Sequence, residues 1–196
     1  MLRKRYMRLQ KEEKNASIRF PLGAYITLTL PDTIDNSCEI DCVHLEENEG
    51  GNLYYLYSSR SDSSNCGDSS KGIFVNNAYY NGTGHGFEKM KKYHTQNNYN
   101  NTGIFLINGV ELSHSNIRKL RINKEFGVGY SRGYYTNVAS QTVFRIFSLK
   151  IIKNDSILFN LVPHIKDEEA GFIETISDVF YGSSTGTPLE YIEESE

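Results

Sequence analysis

From Ile18 onward the chain alternates apolar and polar residues with a period of two, the signature of strands buried on one face. The run "AYITLTL" (24–30) alternates and ends at Pro31. In "CEIDCVHL" (38–45) the period puts Cys38, Ile40 and Cys42 on one side and Glu39 and Asp41 on the other. Further runs with strand character follow at "NLYYLYSS" (52–59), "GIFVNNAYY" (72–80), "GIFLING" (103–109), "IRKLRI" (117–122) and "FGVGY" (126–130). Asn108-Gly109 falls between "IFLI" and "VEL" and predicts a two-residue hairpin, because a type I′ turn needs positive φ at both central positions. The longest apolar stretch, "VFRIFSLKII" (143–152), turns at Lys153-Asn154-Asp155 and returns as "SILFNLVP" (156–163). "AGFIETI" (170–176) and "VFYGSSTGT" (179–187) close the pattern. About ten to thirteen short strands with turns every 8–12 residues predict an all-β sandwich. The single helix candidate is "FEKMKKY" (87–93), and the Asn-, Gly- and Tyr-rich stretch 79–103 predicts a long surface loop. Gly127-Val128-Gly129 predicts a bulge or a close backbone approach. It is not a phosphate loop, since no helix follows it.

A length of 196 residues suits one domain with a real core, and 38% hydrophobic with 23% charged residues places it among ordinary soluble chains. The net charge of −3 gives no bulk attraction to nucleic acid. The charge is concentrated at the ends. Residues 1–14 carry Arg3, Lys4, Arg5, Arg8, Lys11 and Lys14 against Glu12 and Glu13, and the last seven residues carry Glu190, Glu193, Glu194 and Glu196. This divides the chain into a basic N-terminal arm (1–16), a β body (17–188) and an acidic C-terminal tail (189–196). In the arm, Leu2, Tyr6 and Leu9 recur at helical spacing, and so short a helix needs a partner surface to fold on. The arm's Leu2, Arg3, Arg5, Tyr6, Arg8 and Leu9 are therefore candidate anchor residues. Their apolar side favours docking on protein over nucleic acid. The basic start is not followed by the apolar run of a signal peptide, and no stretch approaches the ~18 apolar residues of a membrane span. Neither secretion nor membrane insertion is expected. Cys38 and Cys42 on one strand would lie roughly 13–14 Å apart, beyond disulfide reach. With Cys66 they read as free thiols of a reducing compartment. The histidines form no metal-ligand pattern, and no cofactor is expected.

The C-terminal third carries a more specific pattern. Arg145, Ile146, Phe147, Ser148, Lys150 and Ile151 are followed by Val162-Pro163, Gly171, Phe180-Tyr181 and Thr185-Gly186-Thr187. Upstream, "FPLGAYITLTLPDT" precedes the Glu39-Ile40-Asp41 strand. Together these resemble the concanavalin A-like (laminin-G-like) jelly-roll domains of tailed-phage virion proteins. The match is densest over 143–187, and the middle third diverges. Ile152 stands where Tyr is common, Ile173-Glu174 replaces a Tyr-Asp pair, and the turn before Phe180 is one residue short. The resemblance implies a jelly-roll β-sandwich of two antiparallel sheets carrying a short N-terminal arm. It also implies a non-enzymatic virion accessory: a head decoration, head fibre or tail component, assembled in the host cytoplasm. Its partners would be other virion proteins reached through the arm, or further copies of itself. The alternative is a module binding carbohydrate or a host receptor.

Three stretches carry candidate chemistry. Glu39 and Asp41 spell the first part of the laminarinase-type E-x-D-x-x-E signature. A retaining mechanism needs two carboxyls about 5–5.5 Å apart. The acid/base position is occupied by Val43 or His44, so a polar stripe is the expectation. In the 79–103 stretch, Tyr79, Tyr80, Asn81, Tyr93, Asn97 and Tyr99 offer ring faces and amides to a cell-surface glycan or a partner protein. The absence of Trp weakens the sugar reading. Asp62 and Asp68 flank a Ser-rich loop without the carboxylate cluster that calcium requires.

Overall fold

The computed structural model describes residues 15–34, 38–47, 55–59, 72–74, 89–98, 104–112, 123–132, 137–139 and 142–195. These residues form strands and turns, with no helix among them. The strands are β1 (Ala16–Phe20), β2 (Ile26–Ile34), β3 (Cys38–Glu46), β4 (Tyr55–Ser59), β5 (Gly72–Phe74), β6 (Lys92–Asn98), β7 (Ile104–Ile107) and β8 (Val110–Leu112). They continue as β9 (Asn123–Val128), β10 (Tyr130–Arg132), β11 (Asn137–Ala139), β12 (Phe144–Lys153), β13 (Ser156–Lys166), β14 (Glu169–Glu174), β15 (Val179–Tyr181) and β16 (Glu190–Glu193).

The larger sheet runs β15-β14-β13-β12-β3-β6-β7-β8, with β1 and β16 attached through β12. The smaller runs β2-β9-β4-β5, and β10 and β11 pair as a short ribbon. All the pairings are antiparallel. Strand β12 is the hub of the larger sheet. One edge pairs with β3 from Phe144 to Lys153. The other edge is divided: Leu149–Lys153 pair with β13 and Phe144–Ile146 pair with β1. Phe147 is an extra residue in a bulge between Ile146 and Ser148. It shifts the alternation by one, so that Phe144 and Ile146 before it and Leu149 and Ile151 after it are all buried.

The inward residues of both sheets form one apolar cluster, an arrangement consistent with a β-sandwich. Ile18, Phe20, Ile40, Cys42, Phe144, Leu149 and Phe172 meet Ile26, Leu28, Phe126 and Val128 in it. Phe20 is central. It stacks on Phe144 at 4.6 Å and 9°, and lies 6.2 Å from Phe172. Gly129, at φ +84°, ends β9, and Tyr130 folds back so that a Cβ at Gly127 would run into its ring. Of the two alternatives expected here, the close backbone approach holds at Gly129, where a Cβ would stand 3.1 Å from the Ala24 carbonyl oxygen, while the pairing of Phe126–Val128 with β4 keeps its register without a bulge.

Several expectations are corrected. The helix expected at 87–93 is absent from its described part. Met90 has φ 57° in a turn, and strand β6 begins at Lys92 with Tyr93 and Thr95 buried at period two. The expected 79–103 loop therefore contains an interior strand, paired with β3 and β7. The acidic tail expected at 189–196 is sheet over Glu190–Glu193, paired with β1, and Leu189 beside it is buried. Two strands also run past prolines. At Pro163, β13 has already parted from β12 and pairs with β14 alone, so one ladder fewer needs a donor there. The run 117–122 lies outside the described residues.

Phe144 is fully buried within the stacked rings, and truncating such a side chain costs roughly 3–5 kcal/mol. Urea unfolding of Phe144→Ala is expected to show a loss in that range. A loss below ~1 kcal/mol would contradict the packing described.

Candidate functional site

The expected arm leads into β1, and the described residues around that strand build an ionic cluster. In the register, Arg19 pairs with Arg145 of β12 on one side and Glu190 of β16 on the other. Two guanidinium groups on adjacent strands repel unless an anion lies between them. Glu47, just past the end of β3, supplies it. Its Oε2 accepts from Arg19 Nε at 2.5 Å and its Oε1 accepts from Arg145 Nε. Arg145 Nη1 also reaches Glu194 Oε1 at 3.2 Å, and the buried Ser17 hydroxyl donates to that oxygen at 2.6 Å. Arg19 Nη1 donates to both Glu190 oxygens at 2.9 Å. Burial alone would raise the Glu47 carboxyl. The hydrogen bonds and charges of Arg19 and Arg145 outweigh it and hold the group below the ordinary carboxylate range. Charges on or beside β1, β12, β16 and the end of β3 are thereby joined around β1. Asn15 completes the junction, its carbonyl accepting from Glu194 N at 2.8 Å.

The candidate anchor residues Leu2, Arg3, Arg5, Tyr6, Arg8 and Leu9 lie outside the described residues, as do Tyr79, Tyr80, Asn81, Tyr99, Asp62, Asp68 and Cys66. Of the glycan-surface group, Tyr93 is corrected. It is 8% exposed and belongs to the apolar core, its ring 6.3 Å from His44, so it presents no face to a ligand. Asn97 lies in β6, in register between Ile40 and Phe105.

Glu39 and Asp41 fall on the outer face of the larger sheet and Cys38, Ile40 and Cys42 on the inner, as the alternation predicts. Asp41 meets His94 Nε2 at 2.9 Å and Gln96 Nε2 at 3.4 Å. Where the signature requires its acid, Val43 shares the outer face and His44 is fully buried. Cys38 and Cys42 are buried thiols that form no disulfide. Burial, then the Asp41 charge, pushes the Cys42 thiol well above its ordinary value and makes it unreactive. Among the described residues, no three His, Cys, Asp or Glu side chains form a metal-binding group, and no helix is long and apolar enough to cross a membrane.

Two buried or half-buried acids were not singled out from sequence. One is Glu47, which follows the acidic residue Glu46 and reads locally as solvated. The other is Glu174, 2% exposed, which accepts from Asn160 N, Ile176 N and both donors of Ser177 and so closes the turn after β14. Its place in the Tyr-Asp pair noted above was the available signal. Comparison with protein-family models, curated proteins and solved structures finds no match to this chain.

Two predictions follow from the charges. Glu47→Ala strands two arginines and is expected to cost about 2 kcal/mol, against at most ~1 kcal/mol for Glu190→Ala at the exposed rim. Equal losses in urea unfolding would contradict the central place of Glu47. The second concerns His44, whose burial, with the His94 charge, lowers its pKa from 6.5 to about 3. The unfolded chain takes up that proton near pH 6.5 and the folded chain only near pH 3, so stability is full above the first value and falls as the pH drops between them. From pH 7 to pH 5 the loss from this group is about 2 kcal/mol. His44→Leu should unfold with a pH dependence smaller by that amount, and an unchanged dependence would refute the assignment.

Proposed function

We propose that this chain is a non-enzymatic structural or accessory protein of a phage virion. It would be a head decoration, head fibre or tail component whose basic arm (1–16) fixes it to other virion proteins while a concanavalin A-like jelly-roll body is displayed outward. The resemblance over 143–187 supports the family and the location. The residues that carry it fall on consecutive antiparallel strands β12, β13, β14 and β15 and on the segment leading to β16.

The observation that carries the anchoring role is the placement of β1. The strand that continues the arm is bonded on both edges, to β12 and to β16. Its Ile18 and Phe20 are fully buried, and its Arg19 is clamped by Glu47 and Glu190. Tension on the arm is thus passed to the centre of the larger sheet and not to a fraying edge, as an anchor requires. Outward display of a body that needs no chemistry also fits the occupation of Glu39 and Asp41's neighbouring acid position by Val43 and His44.

The test is removal of residues 1–14 followed by assay of incorporation into assembling particles. The shortened chain is expected to keep its strand signal and urea midpoint, because β1 and its clamps remain, while incorporation falls at least tenfold. Undiminished incorporation would overturn the arm as anchor.

A further inference from the structure

A groove of about 420 Å³ opens between the β13–β14 turn and the segment 182–188 that leads to β16. Its rim is Asp167, Glu168 and Glu169, and its lining includes Ala170, Pro188 and the buried Leu189. The walls are preformed. Asp167 and Glu168, at φ 49° and 69°, make the two-residue turn, and a Cβ at Gly182 would run into the Glu169 carboxylate. The opposite wall is braced internally. Ser183 Oγ donates to Thr187 O at 2.6 Å, and Thr187 N donates to Thr185 Oγ1 at 3.1 Å. It is also tied to β2, where Thr27 N donates to Ser184 Oγ at 2.8 Å. No ion pair within the described residues engages any of the three rim carboxylates. The nearby Lys166 ammonium lies over the Phe180 ring at 6.0 Å.

A mixed lining that sets three carboxylates beside Ala170, Pro188 and the buried Leu189 suits a cationic segment with an apolar side, and this chain carries one. Residues 1–14 hold six cationic side chains against Glu12 and Glu13, with Leu2, Tyr6 and Leu9 recurring at helical spacing. The volume lies in the ~300–1,000 Å³ range of clefts that enclose a ligand group, enough for an apolar side chain. We propose that this groove docks the basic N-terminal arm of a second copy of the chain.

The topology favours the second copy over the chain's own arm. The arm enters the sheet at Ala16, opposite Glu193, whereas the groove lies beyond the other end of β16, where Arg19 faces Glu190. A chain's own arm approaches from the far end and would have to double back along β16, while a neighbour's arm meets no such constraint. The inference rests on the arm being a docking segment, as proposed above, and adds what it docks on.

The test is sedimentation equilibrium of the full chain in ~0.05 M and ~0.5 M salt, where screening lengths differ about threefold. The wild type is expected to self-associate, more weakly by at least tenfold in high salt. Asp167→Lys with Glu168→Lys reverses the groove; Arg3→Glu with Arg5→Glu and Arg8→Glu reverses the arm. Each variant alone should associate at least tenfold more weakly, and their mixture should recover association, because the reversed arm then meets the reversed groove. Asp167→Asn with Glu168→Gln, a milder change at exposed positions, should weaken association in the same direction if the lysine variant does not fold. A wild type that stays monomeric, or association indifferent to the groove charges, would overturn the proposal. If groove reversal leaves association intact while removal of the arm abolishes incorporation into particles, the groove fails and the anchor reading stands. Loss of association on groove reversal with incorporation untouched by arm removal would do the opposite.

Discussion

Strand β12 is bonded to β3 along the whole of one edge, while its other edge is shared end to end by β13 and β1. A strand that must serve two neighbours on one side has to keep its buried face continuous past the junction. The bulge at Phe147 does this by restoring inward alternation for Leu149 and Ile151. The divided edge places β1, the first strand among the described residues, next to the centre of the sheet. It also frees Val162–Lys166 of β13 to pair with β14 alone, so that Pro163 is tolerated there and the β13–β14 turn stands clear as one wall of the groove. The attachment of β1 and the exposed β13–β14 turn are two consequences of one pairing arrangement.

Charge at the chain ends takes on a different meaning once β1 and β16 are paired. Glu190 and Glu194, which in composition belong to an acidic tail, neutralise Arg19 and Arg145 together with Glu47. Adjacent arginines on β1 and β12 would weaken the junction, and partly buried carboxylates convert that repulsion into a clamp.

Much of the fold was legible because burial imposes period two. The inward set of β3, the long β12 and the Asn108-Gly109 hairpin, with φ 49° and 78°, could all be read from alternation and turn chemistry. The misses share a cause. In β6 the lysines ahead of Tyr93 and the amides after it hide an alternation whose buried members are Tyr93 and Thr95. In β16 two glutamates mask Tyr191 and Ile192, which are half-buried beside β1. Polar residues on the outward face of a strand look locally like loop or tail, and only the partner strand distinguishes them. Glu47 is the extreme case. Its role depends on residues 28 and 98 positions away, and no local pattern contains them. The Asp167-Glu168 turn was missed because Glu168 stands at the second positive-φ position, where Gly is the usual residue after Asp.

The claim on which the account turns is that β1 belongs to the centre of the sheet and can take the pull of the arm. Native-state hydrogen exchange on the full chain tests it directly. The amides of Ile18, Arg19 and Phe20 should exchange only through the same global opening as those of Leu149 and Ile151, with β15 exchanging through a lower-energy local opening. If β1 instead opens with β15, well below the free energy of global unfolding, it is a fraying terminal strand and cannot serve as the joint of an anchor.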